Sequence, residues 1–172
     1  MNLDRRAFLA FGGAAIVAGV AFTLPGRDGG AGAVAQTGTF PFRLTDAQWR
    51  QRLNPAQYAT LRQAATERPG SSPLDHEHRH GIFHCAGCGQ PLYSSDAKFE
   101  SGTGWPSFFR PLPHAIVTRA DHSLFEARTE VLCARCGGHL GHVFDDGPKP
   151  TGLRYCMDGY ALVFHPAGSQ AS

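Results

Sequence analysis

Charge is scarce in this chain and no block of one sign stands out. Charged residues make up 17% of 172 positions and the formal net charge is +2. No Lys/Arg cluster appears, which excludes a nucleic-acid partner as the natural reading. Helical periodicity is equally scarce. One stretch supports it, no alternation of strands with helical segments follows, and no internal repeat is evident beyond two C-x-x-C pairs. Parallel βαβ architecture is therefore not expected. Cysteine is sparse and odd in number, at five, so the chain cannot pair all its thiols internally. The 21 glycines and 12 prolines favour short strands joined by turns. The hydrophobic content of 42% is that of a globular protein of one domain.

The one long apolar run is N-terminal. "MNLDRRAFLAFGGAAIVAGVAF" places Arg5 and Arg6 before a stretch without charge from Ala7 to Leu24, and "AVA" at 33–35 offers a small-x-small cleavage site. Residues 1–35 read as a bacterial twin-arginine export signal, which implies a periplasmic or other extracytoplasmic location. The competing reading is an uncleaved membrane anchor, the one route by which the chain would meet a membrane. Residues 36–43 are expected to be a flexible lead-in, residues 44–166 the working domain and 167–172 a flexible tail.

The helical stretch is "LTDAQWRQRLNPAQYATLRQAATERPG", residues 44–70. Thr45 and Gln48 form a capping box, and Trp49 and Leu53 share a face. Asn54 caps a restart with Pro55 in the first turn. Tyr58, Leu61 and Ala65 follow at helical spacing, and Pro69-Gly70 ends the pattern. Residues 71–80 hold His76, His78 and His80 beside Arg79 and are expected to form an exposed loop rather than a metal site. From Gly81 onward six short strands are expected, in "GIFHC", "PLYSS", "AIVTR", "LFEARTEVLC", "HLGHVF" and "YALVF". In the fourth, Leu124, Glu126 and Arg128 alternate with Phe125, Ala127 and Thr129. The fold class is thus mainly β, with antiparallel sheets and short N-terminal helices.

Four cysteines lie in two tight pairs, Cys85 with Cys88 and Cys133 with Cys136, each pair followed by a glycine. Four thiolates suit one tetrahedral Zn2+ and leave no open coordination position, so the site reads as a structural clamp with one ion per chain. Disulfides, which export would permit, and an iron–sulfur cluster are the rival readings. A dithiol oxidoreductase would place one C-x-x-C beside a helix, which this sequence lacks.

Cys156 is left over. Arg154 stands two residues away on the same strand face and would favour a thiolate. "GGHLGHVF" supplies His139 and His142, either of which could protonate an oxygen leaving group. "SGTGWPSFF" presents Trp105, Phe108 and Phe109 on a Gly-rich loop, an apolar wall for a substrate. Two other classes fit parts of this pattern: a zinc-clamped binding module in which Cys156 is incidental, and a zinc hydrolase, which is disfavoured because cysteine fills every ligand position.

"CAGCGQPLYSSDAKFESGTGWPSF", "RTEVLCARCGGHLGHVFDDGPKPTGLRYC" and the preceding "LTDAQW…TERPG" together resemble the methionine sulfoxide reductase B family, over residues 44–164. The resemblance implies two antiparallel β-sheets with short N-terminal helices and a four-cysteine zinc site. It implies Cys156 as nucleophile, His139 and His142 as the histidines of its "HLGHVF" motif, and Trp105 as the residue that holds the sulfoxide methyl group; Phe108, Arg154 and Asp158 are expected to line the substrate site beside it. It also implies Cys85, Cys88, Cys133 and Cys136 as zinc ligands and action on methionine (R)-S-oxide in oxidised proteins. Two departures stand out. Thr103 occupies the place where many members carry a resolving cysteine. Asp158 stands where an asparagine is common, which puts a carboxylate near the nucleophile; it would raise the thiolate's pKa unless protonated or paired with Arg154. With no resolving cysteine, recycling falls to an external thiol donor such as a thioredoxin-like domain, and the enzyme is expected to act as a monomer.

Overall fold

The structure is a computed structural model and describes residues 39–123 and 127–168. The export signal expected at 1–35 and the tail beyond residue 168 lie outside the described residues. Residues 39–43, expected as part of a flexible lead-in, are instead pinned. The Phe42 N–H donates to the Arg135 carbonyl at 2.9 Å, and the Phe42 ring lies 5.7 Å from that of Trp49.

Two short helices follow. α1 spans Asp46–Arg52 and α2 spans Pro55–Gln63, each opened by a reciprocal capping box, Thr45 with Gln48 and Asn54 with Gln57. The helical region ends earlier than the sequence pattern implies. Ala64 takes a left-handed conformation (φ 55°), and Ala65, expected on the apolar face, is exposed. The chain leaves the helix there because Glu67 is needed elsewhere, as a buried anchor described below. Residues 73–76 form a 3-10 turn, and His76, His78 and His80 are exposed around it.

Among the described residues nine strands follow: β1 Gly81–Cys85, β2 Pro91–Ser94, β3 Lys98–Phe99, β4 Ser107–Phe108, β5 Ile116–Asp121, β6 Arg128–Cys133, β7 His139–Phe144, β8 Arg154–Met157 and β9 Leu162–Pro166. They build two antiparallel sheets, one of three strands in the order β2-β1-β9 and one of six in the order β3-β4-β8-β7-β6-β5. β6 begins at Arg128; residues 124–126, expected at the start of this strand, lie outside the described residues. The two-residue strands β3 and β4 are too short to leave a periodic signature.

The sheets meet through aromatic side chains. Phe83 and Tyr93 of the small sheet contact Phe108 of the large one at ring separations of 5.0 and 4.3 Å, and the Tyr93 hydroxyl donates to Met157 Sδ at 3.1 Å. Each such fully buried aromatic contributes about 1.5–3 kcal/mol by leaving water. Because side chains alternate along a strand, Tyr155 and Met157 turn towards this core while Arg154 and Cys156 turn to the opposite face. Phe108, expected in the substrate wall, is fully buried in the core; its neighbour Ser107 takes the site-facing position.

Candidate active site and metal clamp

The two cysteine pairs converge from the ends of β1 and β6. Each knuckle closes on a glycine in a left-handed conformation, Gly89 (φ 74°) and Gly137 (φ 68°), whose N–H donates to the carbonyl of Cys85 or Cys133 at 2.8 Å. Trp49 and Leu61 of the helices pack over the knuckles. The four sulfurs all lie within 4.8 Å of one another, and all four cysteines are buried. Two contacts across the knuckles, Cys85 with Cys136 and Cys88 with Cys133, measure 3.7 and 3.6 Å. A tetrahedron with metal–sulfur bonds of about 2.3 Å has edges of about 3.8 Å, so the donor set fits a four-thiolate metal ion. Arginines surround it: Arg52 donates to the Gly87 carbonyl, Arg135 to that of Cys88 and Arg62 to that of Cys136. Such cations suit the net negative charge of a divalent ion held by four thiolates.

The fifth cysteine sits in a different setting. Strand register lines up one row of residues across the whole six-stranded sheet: Phe99, Ser107, Cys156, His142, Glu130 and Arg119. Residues paired across antiparallel strands share a face, so Cys156 stands between Ser107 and His142. His139 would point to the opposite face in a regular strand, since it lies three residues from His142. A β-bulge in β7 at Leu140 restores it: Val131 pairs with Gly141, and Leu132 pairs with His139. Gly141 makes this possible. Its φ is 144°, and a Cβ there would fall 2.2 Å from the Cys156 carbonyl oxygen. The two imidazoles therefore meet edge to face with centroids 5.4 Å apart.

Cys156 is half-buried, with Thr103 Oγ1 at 3.9 Å from its sulfur. Thr103, Ser101 and Ser107 form a hydroxyl chain, with Ser101 Oγ at 2.8 Å from Thr103 Oγ1 and 2.7 Å from Ser107 Oγ. Burial pushes the Cys156 thiol above its ordinary value; the Thr103 hydroxyl and Arg154 pull the other way, and Asp158 adds to the rise. Arg154 is held by both oxygens of Asp146, at 2.8 and 2.7 Å, and lies over the Phe144 ring. Trp105 is half-buried, and its indole N–H donates to the Glu67 carbonyl at 3.2 Å.

Asp158 raises the Cys156 pKa, as a carboxylate near the thiolate would. It is 3% exposed and faces His139 rather than Arg154: its Oδ2 lies 3.4 Å from His139 Nε2, and its Oδ1 accepts the Glu67 N–H at 3.0 Å. It braces a histidine and offers no open face to a substrate. On the other side, His139 Nδ1 lies 2.7 Å from Glu130 Oε1, and Glu130 is also paired with Arg119. His142 Nε2 contacts Asp121 Oδ2 at 2.8 Å. Burial disfavours charge on His139, yet Asp158 and Glu130 outweigh it and its pKa is pushed up to about 9. Burial, with Arg128 and His139 nearby, lowers that of His142 despite Asp121.

Sequence reasoning missed several partners. Glu130, Asp121, Asp146, Ser107 and Phe144 all serve this face. Glu67 anchors it from behind: its buried carboxylate accepts the N–H groups of Gly159 at 2.5 Å and Tyr160 at 3.3 Å. The one available signal was a carboxylate directly before the apolar run Val131-Leu132-Cys133, Glu130 in "RTEVLC".

A model of the SelR domain family matches residues 53–166. The chain is 57% identical over 123 residues to a protein named peptide methionine sulfoxide reductase MsrB from Bradyrhizobium diazoefficiens, covering 71% of this chain and 88% of that relative. Proteins of the same name from Agrobacterium fabrum and Thiobacillus denitrificans are 51% and 54% identical, each over 71% of this chain and over 91% and 93% of their own lengths. The knuckle spacing, the bulged histidine pair and the lone cysteine all fall inside the matched span, and the chain belongs to the SelR domain family.

Proposed function

We propose that this protein reduces methionine sulfoxide in oxidised proteins back to methionine, that it acts on the R epimer at sulfur, and that Cys156 is its nucleophile. The observation that carries this reading is the placement of one non-clamp thiol directly across a strand pair from His142, with a hydroxyl and an arginine beside it. The Cys156 thiolate attacks the sulfoxide sulfur while an acid of the histidine pair gives a proton to its oxygen. The attack forms an S–S bond; transfer of the protonated oxygen to the Cys156 sulfur then breaks both that bond and the S–O bond, so methionine leaves with its sulfur reduced by two electrons and Cys156 becomes a sulfenic acid. Trp105 and Phe144 supply the apolar contact for the S-methyl group, and Arg154, fixed by Asp146, favours the thiolate. Phe108 supports this wall from within the core.

Thr103 cannot form a disulfide. An external thiol donor of thioredoxin-like type therefore condenses with the sulfenic acid, releases water as a mixed disulfide forms, and frees Cys156 with a second thiol. The buried clamp holds one Zn2+, for which the all-thiolate donor set is the support, and its contribution is structural. Residues 1–35 direct export by the twin-arginine route to the periplasm, where the reductase works as a monomer on damaged proteins.

The test is reduction of each dabsyl-methionine sulfoxide epimer by wild type and by Cys156→Ser with dithiothreitol. Turnover of the R epimer alone, lost in the serine variant, supports the reading. Wild-type rates in Cys156→Ser would overturn it.

A further inference from the structure

The contacts of His139 bear on how the two histidines divide their work, and the point rests on the reductase reading above. Both ring nitrogens of His139 face carboxylates, Nδ1 at 2.7 Å from Glu130 and Nε2 at 3.4 Å from Asp158. Carboxylates only accept hydrogen bonds when ionised. A neutral imidazole has one N–H and one lone pair, so one of its nitrogens would face a carboxylate lone pair to lone pair. Only the imidazolium presents N–H to both sides. The charges alternate in space: Arg119 on Glu130, Glu130 on His139, His139 on Asp158, with the Glu67 backbone N–H closing the row. The ring is 4% exposed and its Nε2 is fully buried without a well-formed hydrogen bond, so neither N–H is aimed at an incoming ligand. The groups around it are Glu130 from β6, Asp158 after β8 and His142 on its own strand, with Arg119 beyond Glu130 and Glu67 beyond Asp158.

We propose that Glu130 and Asp158 hold His139 as a permanently charged imidazolium, a positioning residue that keeps its proton through the cycle and acts through the field it places on His142. A fixed positive charge 5.4 Å from the His142 ring disfavours a second one there, so a protonated His142 gives up its proton more readily. Proton delivery then belongs to the ring that stands opposite Cys156. The aspartate at 158 completes a sandwich that an asparagine, as a neutral acceptor, would make weaker.

Long-range 15N–1H NMR of the imidazoles, on the zinc-loaded protein between pH 5.5 and 9, tests this without measuring turnover. Failure here would therefore leave the reductase reading standing. Wild-type His139 is expected to show two protonated nitrogens through pH 8. In Asp158→Asn its deprotonation midpoint should fall at least tenfold in proton affinity, and Glu130→Gln should act in the same direction. In His139→Gln the His142 midpoint should rise, a change that loss of packing alone would not produce. A neutral His139 at pH 7 in wild type overturns the proposal, as does an unchanged His142 midpoint in folded His139→Gln.

Discussion

The chain keeps two kinds of cysteine on different strands, and the difference lies in what surrounds each sulfur. The four clamp thiols are buried among one another, with arginines on the knuckle carbonyls and Trp49 and Leu61 packed above. Every sulfur lies within 4.8 Å of the three others, and all four cysteines are buried. Cys156 is half-buried and has no sulfur partner among the described residues. It has hydroxyls, a histidine opposite and an arginine beside it. Four thiols that saturate an ion lose their nucleophilic role, whereas one thiol on an open sheet face retains it.

The comparison can be broken most severely at the clamp. Cys133→Ala or Cys88→Ser should lose the metal and the fold together, because apparent zinc energies of about 10–16 kcal/mol in small domains match or exceed a typical domain's whole stability. Circular dichroism with metal analysis checks this; a folded, metal-free variant would contradict it. On the Cys156 face the expected effects are smaller. His139 binds its proton more tightly when folded, with a pKa of about 9 against an ordinary 6.5. Its contribution is complete below pH 6.5 and is lost as pH rises through 9. Urea unfolding should therefore show the stability advantage of wild type over His139→Gln shrinking by up to about 3 kcal/mol across that window. A constant difference would refute the assignment. Glu67→Ala leaves the buried N–H of Gly159 and the half-buried N–H of Tyr160 without an acceptor and should cost about 2 kcal/mol. It should also raise KM more than it lowers kcat, since the Trp105 indole is tied to the Glu67 carbonyl. A KM equal to wild type would separate Glu67 from the substrate wall.

The same contrast shows why some features were legible before the fold was known. Cysteine spacing is a local signal, and both knuckles close as their glycines imply. The capping boxes at Thr45 and Asn54 are local too and form as written. The sandwich around His139 is not local. It needs a bulge at Leu140, a glycine at 141 and residues from β6 and the turn after β8, and none of these has a periodic trace. Phe108 was placed by type rather than by parity: one residue along a strand reverses the face, so Ser107 meets Cys156 and Phe108 meets the core. The helix pattern extends past Gln63 on paper because Ala64 and Ala65 are good helix formers, yet the docking of Glu67 against Asp158 and Gly159 turns the chain away.

One measurement addresses the division between the two kinds of thiol most directly. Zinc-loaded protein is mixed with one equivalent of a methionine (R)-sulfoxide peptide, without reductant, and examined by mass spectrometry after dimedone trapping while zinc release is followed with a chromogenic chelator. The division predicts one methionine formed per chain, dimedone on Cys156 alone and zinc retained. A disulfide joining Cys156 to Cys85, Cys88, Cys133 or Cys136, with zinc released in step, would contradict it.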